Sequence, residues 1–307
     1  MNWLVWRQHR KLLYVSLGLL CLYVIALLID GANLAHAYRQ TQLHQNLDYW
    51  AINYKNSLLA DISVAIPALM GIFWGVPLIA QEYEKGTNAF VWTQSTSRKK
   101  WLTAQLGWML VAALIVGTIL ALAVTWWSRT ENSLLHDRFD TLQFSIQGLV
   151  PVTYAIFSVS LGAAIGAWLK RVLGALALTL VLIITLQAAV AFCLRPHYLT
   201  PVVYQQVILQ HGMALNDGFL ELSGGPGYSI PTGSWVLSSG VPTQPACKPP
   251  LHTVVKLTHI TCISTSTYVY QPAYRYWDFQ RIEAGLCLAL SLLSLGVTYW
   301  LVLRRDA

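Results

Sequence analysis

The run LTAQLGWMLVAALIVGTILALAVTWW, residues 102–127, contains no ionisable side chain, and it is entered from Ser97-Arg98-Lys99-Lys100-Trp101. About 20 apolar residues are enough to cross the hydrocarbon core of a bilayer as a helix, so this run predicts a membrane span with a cationic flank at its start. On the N-terminal side stands a polar stretch, Gln81-Glu82-Tyr83-Glu84-Lys85-Gly86-Thr87, and before it another apolar run, Ile62 to Ala80. Residues 81–101 therefore form a tight loop between two spans, and their basic end assigns that loop to the cytoplasm.

The rest of the chain repeats the pattern. Further spans are predicted at Leu12 to Ile29, Leu149 to Leu169, Val172 to Leu194 and Glu283 to Leu303, which makes six. Composition agrees: 55% of the 307 residues are hydrophobic and only 11% are charged, against roughly 25% charged for a water-soluble domain. An even number of spans puts both termini on one side. That side holds eleven Lys and Arg against three acidic residues, whereas the other holds nine against ten, so the net +7 is an expression of topology with the termini cytoplasmic. Once the basic residues are distributed in this way no basic patch remains for nucleic acid. A cleaved signal peptide is disfavoured, because the first apolar run exceeds the roughly 7–15 residues of a signal core.

The fold class expected is an all-α polytopic membrane protein of six helices, with a small Ser/Thr/Pro-rich, part-β extracytoplasmic segment between helices 5 and 6. Residues 1–11 mix Trp3 and Trp6 with Arg7, Arg10 and Lys11. They suit either an interfacial helix or a simple cationic flank. Residues 12–194 carry helices 1 to 5 and the loop 81–101, residues 195–282 the external segment, and residues 283–307 helix 6 with a cytoplasmic tail. Within 195–282, short strands are expected at Ser234 to Leu237, Thr253 to Leu257 and Thr267 to Tyr270.

Apolar helices gain nothing from leaving lipid for one another, so their association needs close backbone approach. Gly71 and Gly75, and Gly162 and Gly166, are each four apart and mark candidate packing faces. Pro67 and Pro77 predict a kink or a break in the second span. Gln105 and Gln187 are read as interhelical hydrogen bonds, with substrate contact as the second reading. No ionisable residue falls near the middle of a span, and Asp61 and Glu283 are expected at external ends within reach of water, which argues against a proton- or sodium-driven carrier. No Gly-x-x-x-x-Gly-Lys-Ser/Thr, His-Glu-x-x-His or Gly-x-Ser-x-Gly occurs, so neither nucleotide hydrolysis nor the commonest hydrolase chemistry is expected of this chain. No cofactor, metal or catalytic residue is assigned. Cys247 and Cys262 share the external segment and are candidates for a disulfide. Free thiols remain the second reading, and a metal set with His252 and His259 the third, on a spacing looser than structural zinc sites use.

Three elements in order carry a resemblance: Trp3-x-x-Trp6-Arg7-Gln8-His9-Arg10; then Glu82-x-Glu84-x-Gly86-Thr87; then Ser97-Arg98-x-x-Trp101. With Tyr270-Gln271-Pro272-Ala273-x-Arg275-Tyr276-Trp277-x-Phe279-Gln280-x-Ile282-Glu283 they make the chain resemble the ABC-2 type permease subunits of bacterial ATP-binding-cassette transporters. The resemblance implies a multi-pass plasma-membrane subunit, working with a second permease copy or a paralogue. A separate ATPase subunit would bind the ATP and Mg, and the work would be export. It also implies that the first cytoplasmic loop docks on that ATPase. Glu82, Glu84, Gly86, Thr87, Phe90, Trp92, Arg98 and Trp101 are the candidate coupling residues. Thr87 would cap a short helix whose Phe90 and Trp92 offer apolar surface; the same aromatics also suit the membrane interface. A membrane sensor or scaffold, whose external segment binds a ligand without transport, is the alternative.

Overall fold

The computed structural model describes residues 2–42, 58–86, 97–129, 132, 138–215, 218–222, 233–239, 246–248 and 258–304. It divides into two units, Met1–Arg195 with Trp277–Ala307, and Pro196–Tyr276.

The first unit is helical. Helix α1 is Asn2–Gln42. The second span is α2, Leu58–Met70, then a π-turn at Gly71–Gly75, then α3, Val76–Glu84. Helices α4, Arg98–Trp127, α5, Thr141–Ile146, and α6, Val150–Leu169, come next. After α7, Val172–Ala189, come a second π-turn, Val190–Leu194, and a short 3-10 turn, Arg195–His197. Helix α8 is Tyr276–Arg304. Six segments among the described residues are long and apolar enough to cross a membrane, as expected. The largest departures from expectation are in α1, which runs without a break through Lys11 and on past Ile29 to Gln42, and in α8, which starts well before Glu283, because Trp277-Asp278-Phe279-Gln280 continues the helical backbone despite its polarity.

Helix α6 is the hub. Of its most apolar stretch 72% is buried, against 17% for the first and fifth spans, whose outward faces are left to lipid. Small residues make this possible. A Cβ added at Gly71 would lie 2.6 Å from the Ser158 carbonyl oxygen, one at Gly75 2.5 Å from that of Val159, and one at Gly166 2.8 Å from that of Val76. One at Gly162 would collide with the Gly71 carbonyl. The four glycines thus bring the second span and α6 into backbone contact. Around that contact Trp74, Leu78, Leu102, Leu106, Met109 and Val159 belong to a large apolar cluster.

Both π-turns share one cause. Proline has no N–H and its ring crowds the carbonyl four residues back, so the helix widens just before it. Val76 donates to the Gly71 carbonyl immediately before Pro77, and Arg195 to the Val190 carbonyl immediately before Pro196. The expected disturbance at Pro77 therefore takes the form of a π-turn. Each such turn inserts one residue and rotates the succeeding helix by about 100°.

The second unit is a five-stranded antiparallel sheet of order β2-β1-β5-β3, with β4 also paired to β5. Its strands are β1 Val202–Leu215, β2 Gly218–Leu222, β3 Trp235–Ser239, β4 Ala246–Lys248 and β5 Thr258–Gln271. The long β1/β5 pairing runs from Val202 opposite Tyr270 to Ala214 opposite Thr258. At its base Gln271 Nε2 donates to the Leu199 carbonyl at 2.7 Å, and Arg275 donates to the Thr200 carbonyl at 2.8 Å and to Gln271 Oε1 at 3.0 Å. The part-β expectation holds, and β3 and β5 overlap two of the three expected strands. Residues 253–257 lie outside the described residues. Strand β1 has no clear signal in the sequence, since its partner is distant along the chain and Gln205-Gln206 breaks any simple alternation.

Candidate functional site

The basic-side loop is rooted at both ends. Helix α3 closes on Glu84; Lys85 N–H donates to Gln81 O and Gly86 N–H to Tyr83 O, each at 3.1 Å, and Gly86 sits at φ 68°, a left-handed conformation that glycine takes freely. On the other side Ser97 caps α4: its Oγ accepts the Lys100 N–H at 3.4 Å. Trp101 is buried in the large apolar cluster beside Leu102. Thr103 and Tyr299 share a hydroxyl hydrogen bond of 2.8 Å that ties α4 to α8. Buried Gln105 donates to the Leu78 carbonyl at 3.3 Å, an interhelical bond of the kind its sequence position suggests.

The loop root also reaches a third helix. Glu84 Oε2 accepts the Val172 N–H at 2.9 Å. Arg171, at the N-cap of α7, supplies no side-chain cap, so Glu84 provides the acceptor from outside, a carboxylate against the positive end of a helix dipole. Lys170, which ends α6 in the left-handed region at φ 56°, places its Nζ 4.8 Å from the centre of the Tyr83 ring. Glu82, one residue before Tyr83, is half-buried. Of the candidate coupling residues, Glu82, Glu84, Gly86, Arg98 and Trp101 thus stand at the two roots, whereas Thr87, Phe90 and Trp92 lie outside the described residues. Tyr83, Lys170 and the Val172 N–H are additions that the fold makes to the site; the adjacent basic pair Lys170-Arg171 between two apolar runs is the available sequence signal.

A family model described as ABC-2 membrane transporter related matches residues 17–195, over half of the chain. The chain belongs to that family. No curated protein and no solved structure matches it. It is accordingly a multi-pass membrane permease of the ABC-transporter class. The matched residues contain the whole loop 81–101 and its contact with α7.

At the opposite end, the permease holds a polar cluster that the sequence does not disclose. Glu283 is fully buried within α8 and Arg195 nearly so, and this corrects the expectation that water reaches Glu283. Arg195 donates through Nε to Glu283 Oε2 at 3.0 Å and through Nη2 to Glu283 Oε1 at 2.9 Å, a bidentate pair. Tyr154 of α6 donates its hydroxyl to Glu283 at 3.3 Å, Arg195 also reaches Ser145 Oγ at 3.0 Å, and its guanidinium lies 4.2 Å from the centre of the Phe144 ring. One turn earlier on α8, Gln280 accepts the Leu149 and Val150 N–H groups at 3.0 and 3.2 Å and donates to Phe144 O at 3.1 Å, so it caps α6 from outside. The π-turn before Pro196 sets the direction from which Arg195 leaves α7. Arg195 directly before a proline, and Gln280 three residues before Glu283, mark these positions in the sequence without disclosing that they meet.

In the sheet, Cys247 of β4 stands directly opposite Cys262 of β5. His252 lies outside the described residues.

Proposed function

We propose that this permease is driven by a separate ABC ATPase subunit that docks on the loop 81–101, and that the pair exports its substrate across a bacterial plasma membrane as part of a two-permease assembly. ATP and Mg would be held by the partner and none by this chain. The observation that supports this most is the hydrogen bond from the Val172 N–H to Glu84. A push on the loop is felt by α3 and α4 through the chain itself, and by α7 through that bond. Backbone contact between the second span and α6 then passes the displacement to the hub of the bundle, where a rocking motion alternates access. Phe90 and Trp92 are the docking surface, and Glu82 and Arg98 its charged rim.

The test separates docking from relay. Phe90→Asp should leave the tagged permease inserted in its own cell membranes, yet remove the ABC ATPase that otherwise co-purifies with it, identified by mass spectrometry. Retained ATPase at the unmodified level refutes the docking role. The five-stranded sheet keeps a ligand-sensing function as the second reading. Ligand binding by residues 196–276, without ATP-dependent movement of solute in vesicles, would favour it. In an oxidising compartment the opposed Cys247 and Cys262 form a disulfide, worth about 3 kcal/mol on a chain-entropy basis; intact mass before and after reduction should differ by two hydrogens, and an unchanged mass excludes it.

A further inference from the structure

Helix α7 buries Ala175 and Thr179 in its basic-side half and Ile183 just past its midpoint, and from there to His197 only Val190 and Arg195 are buried. Between the outer half of α7 and the middle and basic-side half of α8 lies an apolar groove of about 520 Å³, floored by α6 and lined by Leu186 and Ala189 on one side and Leu290 and Ser294 on the other. On both helices the groove precedes the Arg195–Glu283 pair when traced from the basic end. The pair therefore bridges α7 and α8 beyond the outer end of the groove, past Ala189 on one helix and Leu290 on the other, at a point where the π-turn and a proline follow α7 in place of regular helix.

We propose that Arg195 and Glu283 form a charge latch that closes the extracytoplasmic end of this groove, and that α7 parts from α8 only when the latch is broken. A buried carboxylate and guanidinium satisfied by each other, by Tyr154 and by Ser145 have two favourable conditions, fully paired in the protein interior or fully hydrated. Intermediate separations, with either charge dry and alone, are costly. The contact is consequently two-state, which a gate requires and a graded apolar seam does not supply. The π-turn supplies the compliance: a helix already widened before Pro196 can change its exit direction without losing a further hydrogen bond. The latch concerns the outer end alone and stands whether or not the loop docks an ATPase.

The chain carries its own probe. Cys287 is fully buried, one turn below Glu283 on α8 and between the pair and Leu290, whereas Cys193 in the second π-turn is exposed. The purified full-length permease in lipid nanodiscs is treated with a water-soluble maleimide, and labelling of each cysteine is tracked by peptide mass spectrometry, with Cys193 as the internal reference. The native protein should label slowly at Cys287. Glu283→Gln and Arg195→Gln should each raise the Cys287 rate at least tenfold relative to Cys193, and the swapped double variant Arg195→Glu/Glu283→Arg should return it toward the native rate. Unchanged labelling in both single variants, or a swapped variant as reactive as the singles, overturns the proposal. So does failure of Glu283→Gln to insert as a monodisperse protein, because the pair would then be a folding requirement and not a gate.

Discussion

The two ends of the helical bundle solve the same problem, joining helices that lipid does not push together, with opposite chemistry. At the basic end α3 meets α7 through a carboxylate on a backbone N–H, exposed to water and flanked by a cation over an aromatic ring. At the outer end it is a buried bidentate ion pair set among Tyr154, Ser145 and the Phe144 ring. An exposed charge-assisted bond is cheap to break and re-form, whereas a buried pair holds until both charges can be hydrated. The first kind of joint suits the docking role proposed for the loop, and the second suits the proposed latch.

That contrast sets the expected order of mutational effects. Arg195→Met leaves the Glu283 carboxylate buried without its cation and should destabilise the permease by about 3–5 kcal/mol, read as a fall in its unfolding temperature in detergent. Adding Glu283→Met should recover most of the loss, since two apolar side chains remove the unpaired charge. If Arg195→Met alone is neutral, the outer joint is no stronger than the basic one. Gly162→Leu drives a side chain into the Gly71 carbonyl and should cost about 1–3 kcal/mol as an overpacked interface. Little change there would mean that the second span and α6 can separate without harm, and that the relay between the two ends does not run through them. Glu84→Ala removes one cap and one dipole interaction at an exposed position and should cost only about 0.5–1 kcal/mol. Its larger effect should fall on coupling, with ATPase binding kept and ATP-dependent transport reduced.

The same physics decides which features are legible in the sequence. Spans such as residues 102–127 are legible because the bilayer demands a long uninterrupted apolar run, and sidedness is legible because Lys and Arg flank one set of ends. Gly71, Gly75, Gly162 and Gly166 are legible as packing candidates because their spacing of four puts each pair on one helix face. Arg195 and Glu283 are not. Each stands at the edge of an apolar run, where a charge ordinarily meets water, and only the fold shows that α5, α6 and α8 enclose both. Glu84 is legible as a charge available to a partner, yet its bond to Val172 depends on the turn between α6 and α7 approaching α3, which no local pattern encodes. Strand β1 is hidden for a related reason: its ladder is made with β5, across the length of the external segment. The π-turns are half legible. Pro77 and Pro196 announce a disturbed helix without saying that the backbone answers by adding a residue to the turn.

Whether work enters this permease through its basic-side loop is read by ATP hydrolysis of the ATPase subunit co-reconstituted with the permease in vesicles. With the native permease the rate should differ clearly from that of the ATPase alone, and with Phe90→Asp it should return to the rate of the ATPase alone. A Phe90→Asp permease that alters hydrolysis as fully as the native chain would show that the loop is not where the ATPase acts.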